Sequence, residues 1–352
     1  MAPFLFVWRY DMNNNDRYWV WLQRAAGKGA NLERLLAPFG GDVRALYEAS
    51  PAEREELLRG RGMKETPWHE EDLREQGVRG GRAAEPQVRM EGWDGENGSP
   101  RKKRRPVSPN TLAKMQKVSL AEADEVLEEC AARGIAVLTP EDACYPPLLR
   151  EIPTRPAVLY ALGDVSLFTP AALPFAMVGA RDARLTSLCA ASALAETLAR
   201  AGLLVVSGGA IGTDSACHIG ALNAGRPTVA VLGTGIGTNY LQQNADLRRV
   251  ISKNGVLLTE MEPGEPGSLG SFPLRNRIIA GMSIGTLVVE AAVKSGSLIT
   301  SRYAEEYSRD IFVPLFPGVD PTGALGERFE SYCEGADLPS ADLPGKRRQP
   351  LS

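Results

Sequence analysis

The chain has 352 residues, of which 43% are hydrophobic and 24% charged, and its formal net charge is −3. These values are typical of a folded globular protein with one large domain and a smaller one. The slight acidity excludes nucleic-acid binding through overall positive charge, so any such site needs locally concentrated cations. No apolar run reaches the ~18 residues of a membrane helix. The N-terminal MAPFLFVWRYDM lacks the basic start of a secretory signal, so we expect a cytoplasmic protein.

Cysteine and histidine contents predict neither disulfides nor a metal site. The five cysteines are odd in number and form no C-x-x-C pair, which indicates reduced thiols. The two histidines, His69 and His218, leave too few ligands for a typical zinc site. We therefore expect no metal and no cofactor.

The N-terminal part predicts a small helical module, assigned to residues 1–76 and similar to a SAM or helix-hairpin-helix domain. Apolar residues recur at helical spacing between residues 16 and 59. Within this segment, AGKGANLERLL places a Gly27-Lys28-Gly29 turn before a helix. Two interpretations are open: a hairpin whose backbone N–H groups bind phosphate, or a plain helical connection.

Residues 77–117 predict a flexible insert, because they are rich in Gly, Pro, Arg and polar residues and poor in aliphatic ones. The run RKKRR at 101–105 fits either a nucleic-acid patch or a solvated charge run. Residues 321–352 predict a short tail that is too small for a winged-helix domain.

Residues 118–320 predict a Rossmann-like α/β domain with a doubly wound, mostly parallel sheet. Apolar runs of strand length alternate with helical patterns, which is typical of βαβ units. The predicted helices cover LAEADEVLEECAARG, LCAASALAETLARAG, DSACHIGALNAG, NADLRRVISKNG and LITSRYAEEYS. The predicted strands are IAVL (135–138), FAMVG (175–179), LLVVSG (203–208), TVAVLG (228–233), VLLTE (256–260), TLVVE (286–290) and DIFVP (310–314).

Ligands of such sheets bind beyond the carboxyl ends of the strands, so the segments that follow the strands predict the site. After the first main strand, Gly179 permits a tight exit and Arg181 follows within reach of a phosphate. After the next comes SGGAIGTD (207–214), whose glycines allow close backbone approach. Asp214 fits a helix N-cap, and His218 fits either a buried helix histidine or a catalytic base.

Three further loops follow strands. GTGIGTN (233–239) fails the dinucleotide fingerprint, because Thr238 stands where the third glycine belongs, so NAD binding has little support. Arg275, Asn276 and Arg277 precede an apolar helical stretch and favour oxyanions. EAAVKSGSLITSRYAEE places a lysine, hydroxyls and a glycine at a helix start, as a phosphate cradle requires. Together the five loops predict a ligand that carries phosphates.

These segments resemble the DprA/Smf family. FPLRNRIIAGMS and EAAVKSGSLITSRYA are similar to its most specific segments, and SGGAIGTDSACHIGAL and VGARDARLTS to two others. DACYPPLLREIPTRPAVLYALGDVSLF (142–168) resembles the family's entry into its Rossmann-like domain. The resemblance covers about residues 16–60 and 118–318.

The resemblance implies sequence-independent binding of single-stranded DNA through phosphate contacts, homodimers, and loading of the RecA recombinase during transformation or recombination. It implies no catalytic residue and no membrane partner. The expected phosphate-binding residues are Gly179, Arg181, Ser207, Gly208, Gly209, Gly212, Arg275, Asn276, Arg277, Lys294, Ser295, Gly296, Ser297 and Thr300.

The chain departs from the family pattern at two positions. Leu241 stands where a proline is expected, and Ile211 where many members carry a basic residue. The alternative function is that of a nucleotide-processing enzyme like the phosphoribohydrolases of the lysine-decarboxylase-like (LOG) family. Their PGG-x-GT-x-E segment is absent, and Glu290 is the one carboxylate at a strand end that fits a catalytic base.

Overall fold

The computed structural model describes residues 15–60, 107–291 and 295–314. The described residues fall into two compact units. The first unit takes those within Met1–Phe168, Gly233–Tyr240 and Leu258–Leu274. The second unit takes those within Thr169–Leu232, Leu241–Leu257 and Arg275–Ser352.

The first unit is mainly helical, as predicted for its N-terminal part. Its helices are α1 (Asp16–Ala26), α2 (Leu32–Leu36), α3 (Val43–Glu48), α4 (Pro51–Gly60), α5 (Pro109–Lys117) and α6 (Leu120–Ala132). The side chains of Asn31 and Asp42 cap α2 and α3 by accepting backbone N–H groups. Trp21 of α1 is fully buried and makes an edge-on ring contact with Tyr47, with centroids 5.0 Å apart.

Part of the predicted flexible insert is helical. Residues 109–117 form α5, which begins after Ser108, whose hydroxyl accepts the Thr111 N–H at 3.1 Å. Leu112 and Met115 on its inner face are buried. Only two buried apolar residues show helical spacing here, and this weak signal is outweighed by the polar composition of residues 77–117 as a whole. Residues 77–106 of the insert, with the basic run 101–105, and the tail lie outside the described residues.

The first unit also contains an antiparallel strand pair. Strands β1 (Ala136–Leu138) and β2 (Leu159–Gly163) pair with Leu138 opposite Leu159. Strand β2 is not among the predicted strands. Only a short 3-10 turn, Pro147–Glu151, stands between β1 and β2, so the alternation of strand and helix does not extend to this segment.

The second unit carries the parallel sheet. Its strands are β3 (Pro174–Val178), β4 (Leu204–Ser207), β5 (Thr228–Leu232), β7 (Gly285–Val288) and β8 (Asp310–Phe312). They lie in the order β5-β4-β3-β7-β8, and each neighbouring pair is parallel. Strand β6 (Val256–Thr259) is divided between the two units at residues 257 and 258.

Helices follow the strands as the Rossmann-like prediction requires. They are α7 (Leu185–Arg200), α8 (Thr213–Asn223), α9 (Ala245–Asn254), α10 (Ser271–Gly281) and α11 (Ser297–Glu306). Small residues of α7, among them Ala191 and Ala195, pack with Met177, Val205 and Cys217 in one buried cluster. The predicted fold class is confirmed, and each of the seven predicted strand runs contains a strand. No helix in the described ranges is both long and apolar enough to cross a membrane.

Candidate nucleic-acid interface

The strand order creates a switch point in the second unit. From β3 the chain moves to β4 and β5 on one side, and it later adds β7 and β8 on the other side. The carboxyl ends of β3 and β7 therefore flank the place where ligands of open parallel sheets bind. The two strand ends are joined there, because the Ala180 N–H donates to the Glu290 carbonyl at 2.8 Å.

The strand exit after β3 and the glycine loop (residues 207–212) are packed backbone against backbone. Thr213, the first residue of α8, donates its N–H at 3.1 Å and its hydroxyl at 3.0 Å to the Ala180 carbonyl. Gly212 has φ +80°, and a Cβ there would lie 2.3 Å from the Arg181 carbonyl oxygen. No side chain fits at this position. Arg181 itself is exposed at the switch point.

Two N–H groups of the glycine loop, those of Gly208 and Ala210, bind a carboxylate of the chain. Asp214 Oδ2 accepts the Ala210 N–H at 3.3 Å, and the carboxylate also binds the Gly208 N–H. Burial raises the pKa of the Asp214 carboxyl above its usual value, while Arg275 and these N–H groups oppose that shift. These two N–H groups are therefore bound within the chain, and phosphate contact by the glycine loop stays a prediction.

The predicted oxyanion-binding triplet is buried. Arg275, Asn276 and Arg277 are 7%, 8% and 1% exposed. Arg275 donates to the carbonyls of Gly208, at 2.6 Å, and Val231, and it also pairs electrostatically with Asp214. Asn276 donates its amide to the Gly296 carbonyl at 3.1 Å. In this conformation Arg275 and Asn276 bind backbone groups of the protein, and phosphate contact by the triplet stays a prediction.

The predicted phosphate cradle lies at the start of α11. The Ser295 and Ser297 hydroxyls are 2.7 Å apart, and the Ser297 N–H donates to Ser295 Oγ at 3.3 Å. Ser297 and Thr300 are buried, whereas Ser295 is half-buried. Lys294 lies outside the described residues. The structure thus brings the strand exit, the glycine loop, the arginine triplet and this cradle together within one unit.

Two candidate catalytic groups have structural partners. Glu290 forms an ion pair with Arg184 at 3.5 Å and accepts the Arg184 backbone N–H at 3.1 Å. His218 is fully buried, and burial lowers its pKa to about 3. The Thr228 hydroxyl donates to the Val205 carbonyl, so His218 Nδ1–H must donate to Thr228 Oγ1, 2.8 Å away. These contacts match the buried-histidine interpretation.

The GTGIGTN loop (233–239) lies in the first unit. Phe272 packs on Gly233 and stacks with Tyr240, with ring centroids 4.8 Å apart. Thr238, at the failed position of the dinucleotide pattern, donates its hydroxyl to Thr234 Oγ1 at 2.9 Å.

The Gly27-Lys28-Gly29 hairpin binds acidic groups of its own unit. The Gly29 N–H donates to Glu260 Oε1 at 3.4 Å, and Lys28 pairs with Glu265 at 2.5 Å. These contacts favour the structural interpretation of the hairpin over the phosphate-binding one.

Two residues that shape the glycine loop were not predicted. Asp214 was considered only as an N-cap, although the cap position is occupied by Gly212. Asn244 donates its amide to the Gly209 carbonyl at 3.1 Å and to Ser215 Oγ at 2.9 Å. Asn244 ends the segment NYLQQN (239–244), in which Leu241 replaces the expected proline. Nothing in that segment indicates which loop the Asn244 amide contacts. Within the described ranges, no three His, Cys, Asp or Glu side chains cluster as metal ligands would.

Comparisons with known proteins agree with the sequence motifs. Protein Smf of Synechocystis sp. is 40% identical over 198 residues, which cover 55% of this chain and 50% of that protein. DprA of Streptococcus pneumoniae is 39% identical over 199 residues, or 56% and 68% of the two chains. Its crystal structure matches with a TM-score of 0.56 and 32% identity over 64% of this chain and 77% of that one.

A second solved structure concerns the single-stranded DNA binding mode of DNA processing protein A from Helicobacter pylori. It matches with a TM-score of 0.50 and 29% identity, covering 56% of this chain and 88% of that one. The chain spans about half the length of the Synechocystis relative. The family model for DNA recombination-mediator protein A matches residues 136–326, more than half of the sequence. The chain therefore belongs to this family, whose members include the DprA and Smf proteins.

Proposed function

We propose that the chain binds single-stranded DNA without sequence preference, through the phosphates, and loads RecA recombinase onto the strand during transformation or recombination. It acts as a homodimer in the cytoplasm and not as an enzyme. Family membership and the DNA-binding relative from Helicobacter pylori support this proposal. The observation that carries it is the exposed Arg181 at the switch point, on a strand exit whose backbone packs against Gly212 and Thr213.

We divide the predicted site residues into two groups, those that contact phosphates and those that support them. We assign direct phosphate contact to Lys294, the exposed Arg181 and the half-buried Ser295, because cations and hydroxyls satisfy phosphate oxygens. The other predicted residues support them by holding the loops in place. The supporting group comprises Gly179, Ser207, Gly208, Gly209, Gly212, Arg275, Asn276, Arg277, Gly296, Ser297 and Thr300.

Fluorescence anisotropy with labelled oligo-dT at several salt concentrations tests the proposal. Arg181→Ala should weaken binding about tenfold, the scale of one charge-assisted hydrogen bond. It should also reduce the slope of log affinity against log salt by about 0.7, the value for one phosphate on a single strand. Arg200→Ala, which removes an exposed arginine paired with Glu196 on α7, is the matched control. Equal affinities for Arg181→Ala and wild type would contradict the proposed site.

The enzymatic alternative has its own readout. Incubation with nucleoside monophosphates should release no free base, because Glu290 is held by Arg184. Base release that is lost in Glu290→Gln would favour a phosphoribohydrolase. RecA loading is tested separately, by whether the chain speeds the DNA-dependent ATP hydrolysis of RecA on single-stranded DNA.

The domain organisation is also a proposal: a helical module within 1–76, an insert, a Rossmann-like domain over 118–320 and a tail over 321–352. The insert boundary moves, because Val107 is buried and α5 begins at Pro109. Deletion of residues 80–104 should leave the melting temperature unchanged, and unfolding of that variant would contradict an independent insert.

A further inference from the structure

We propose that Asp214 is a positioning residue for Arg181. Its carboxylate holds the glycine loop, and the glycine loop in turn holds the strand exit that carries Arg181. The inference rests on the DNA-binding function proposed above, and it assigns to the glycine loop a role different from phosphate contact.

The first step is the filling of the loop from within. The N–H groups of Gly208 and Ala210 both bind the Asp214 carboxylate. Asp214 is 8% exposed. A DNA phosphate that used the same N–H groups would have to displace a buried carboxylate, so these groups serve the fold and not the ligand.

The second step is the fastening of the loop by Arg275. This guanidinium binds the carbonyls of Gly208 and Val231, so it ties the glycine loop to the end of β5. A Cβ on Gly208 would lie 2.5 Å from Asp214 Oδ2 and 2.8 Å from Arg275 Nη1. The space between carboxylate and guanidinium is thus filled by the backbone at Gly208, with no room for a ligand atom.

The third step leads from the loop to Arg181. Gly212 lies directly on the carbonyls of Ala180 and Arg181, at 2.6 and 2.3 Å from its ideal Cβ position. Thr213 adds two hydrogen bonds to the Ala180 carbonyl. A shift of the glycine loop therefore shifts the backbone from which the Arg181 side chain projects, and a displacement near 1 Å is enough to break a hydrogen bond.

A double-mutant cycle tests this chain of contacts. Affinity for labelled oligo-dT is measured for wild type, Asp214→Asn, Arg181→Ala and the double variant. We expect each single substitution to weaken binding about tenfold, the effect of one charge-assisted contact. In the Arg181→Ala background, Asp214→Asn should then have less than about a twofold further effect. Full multiplication of the two single effects would overturn the proposal.

Asp246→Asn is the matched control, because Asp246 pairs with Arg249 on the exposed face of α9. Asp246→Asn should either leave the affinity unchanged or weaken it by the same factor with and without Arg181→Ala, as independent sites do. The salt slope gives a second readout: Asp214→Asn should lower it as Arg181→Ala does, which a general loss of folded protein would not do.

Thr213→Val supplies a second route if Asp214→Asn does not fold. It removes the hydroxyl bond to Ala180 and keeps the N–H bond, and Thr197→Val is its control, since the Thr197 hydroxyl binds Ala193 on the exposed side of α7. Thr213→Val should weaken binding severalfold when Arg181 is present and should have little further effect in the Arg181→Ala variant. If Arg181→Ala has no effect, the proposed binding site fails. If Arg181→Ala weakens binding and neither Asp214→Asn nor Thr213→Val does, only the positioning role fails.

Discussion

Two glycine-rich turns of this protein both precede a helix, and they differ in how closely the rest of the chain packs on them. The Gly27-Lys28-Gly29 hairpin in the first unit and the glycine loop in the second were both candidates for phosphate binding by backbone N–H groups. In both turns a carboxylate of the same unit accepts an N–H group: Glu260 at 3.4 Å in the hairpin and Asp214 in the glycine loop. A glycine-rich turn before a helix is therefore an anion site, but the anion can belong to the chain.

The two turns differ in how closely they are packed. At Gly27 no atom lies within 4 Å of an ideal Cβ, whereas at Gly212 a carbonyl oxygen lies at 2.3 Å. The ion pair beside the hairpin, Lys28 with Glu265, is 25% and 32% exposed. The carboxylate of the glycine loop is buried and faces a buried arginine. Glu260 and Asp214 are both buried, so the two turns differ in their charged pairs: Lys28–Glu265 is partly exposed and Asp214–Arg275 is buried. This difference decides how much each pair contributes to stability.

Removal of the internal anion from the glycine loop should have the largest effect on stability. Asp214→Ala leaves Arg275 buried without its carboxylate, which should lower the free energy of unfolding by about 3–5 kcal/mol. Asp214→Ala combined with Arg275→Met, which removes both charges, should recover part of that loss. Urea unfolding measures both. Asp246→Ala is the exposed control, and an equal effect of the two Asp→Ala variants would remove the distinction drawn from burial.

Alanine substitutions at the two glycines separate backbone strain from lack of space. Gly27 (φ +85°, ψ 163°) and Gly212 (φ +80°, ψ −129°) both lie in regions that disfavour side chains. The strain should cost about 1–3 kcal/mol in each variant. Gly212→Ala should cost about 1–3 kcal/mol more, because its Cβ meets backbone carbonyls that cannot rotate away. Equal losses of melting temperature in Gly27→Ala and Gly212→Ala would show that the glycine loop relaxes to accept the added Cβ.

His218, one turn after Asp214, gives the stability of the second unit a dependence on pH. His218 has a folded-state pKa of about 3 against the ordinary 6.5, so the unfolded chain binds more protons between those values. Stability is therefore greatest above pH 6.5, and it falls as the pH drops, by up to about 1.4 kcal/mol per unit. His218→Asn keeps a donor for Thr228 and should flatten this dependence in urea titrations at about pH 7.5 and 5.5. An unchanged slope would contradict the assignment of this pH dependence to His218.

The smallest effect is expected at the hairpin. Lys28→Met removes a partly exposed ion pair and should change the free energy of unfolding by only about 0–1 kcal/mol. Added salt should reduce that difference further, because exposed charges are screened. If Lys28→Met lowers the free energy of unfolding as much as Asp214→Ala does, the exposed and the buried pair contribute equally and the comparison fails.

The fold could be predicted because its determinants are local. Seven apolar runs of strand length separated by helical patterns indicate a parallel sheet, and each run contains a strand. Strand β2 was missed because it pairs antiparallel after a turn, with no helix to mark it. Helix α5 was missed because two buried apolar residues, Leu112 and Met115, are a weak signal within a polar segment.

The site could be predicted only in part, for a physical reason. The carboxyl ends of parallel strands identify which loops meet, and Arg181 and Ser295 followed from that rule. Whether a polar side chain faces solvent or the interior depends on contacts between residues distant in sequence. Arg275 binds the Gly208 carbonyl, 67 positions earlier, and Asn244 binds Gly209, 35 positions earlier. The sequence of the Arg-Asn-Arg triplet does not indicate these distant carbonyls, and phosphate contact by the triplet stays a prediction.

Because the Asp214 carboxylate that fastens the glycine loop is part of the chain itself, the loop takes its shape when the chain folds. Ordering a backbone costs about 1–2 kcal/mol per residue, and for this loop folding already meets that cost. The binding of single-stranded DNA proposed above would then require no ordering of the glycine loop, only of the flexible strand. A preorganised surface of this kind should bind at a rate set by diffusion and charge, since no loop has to close.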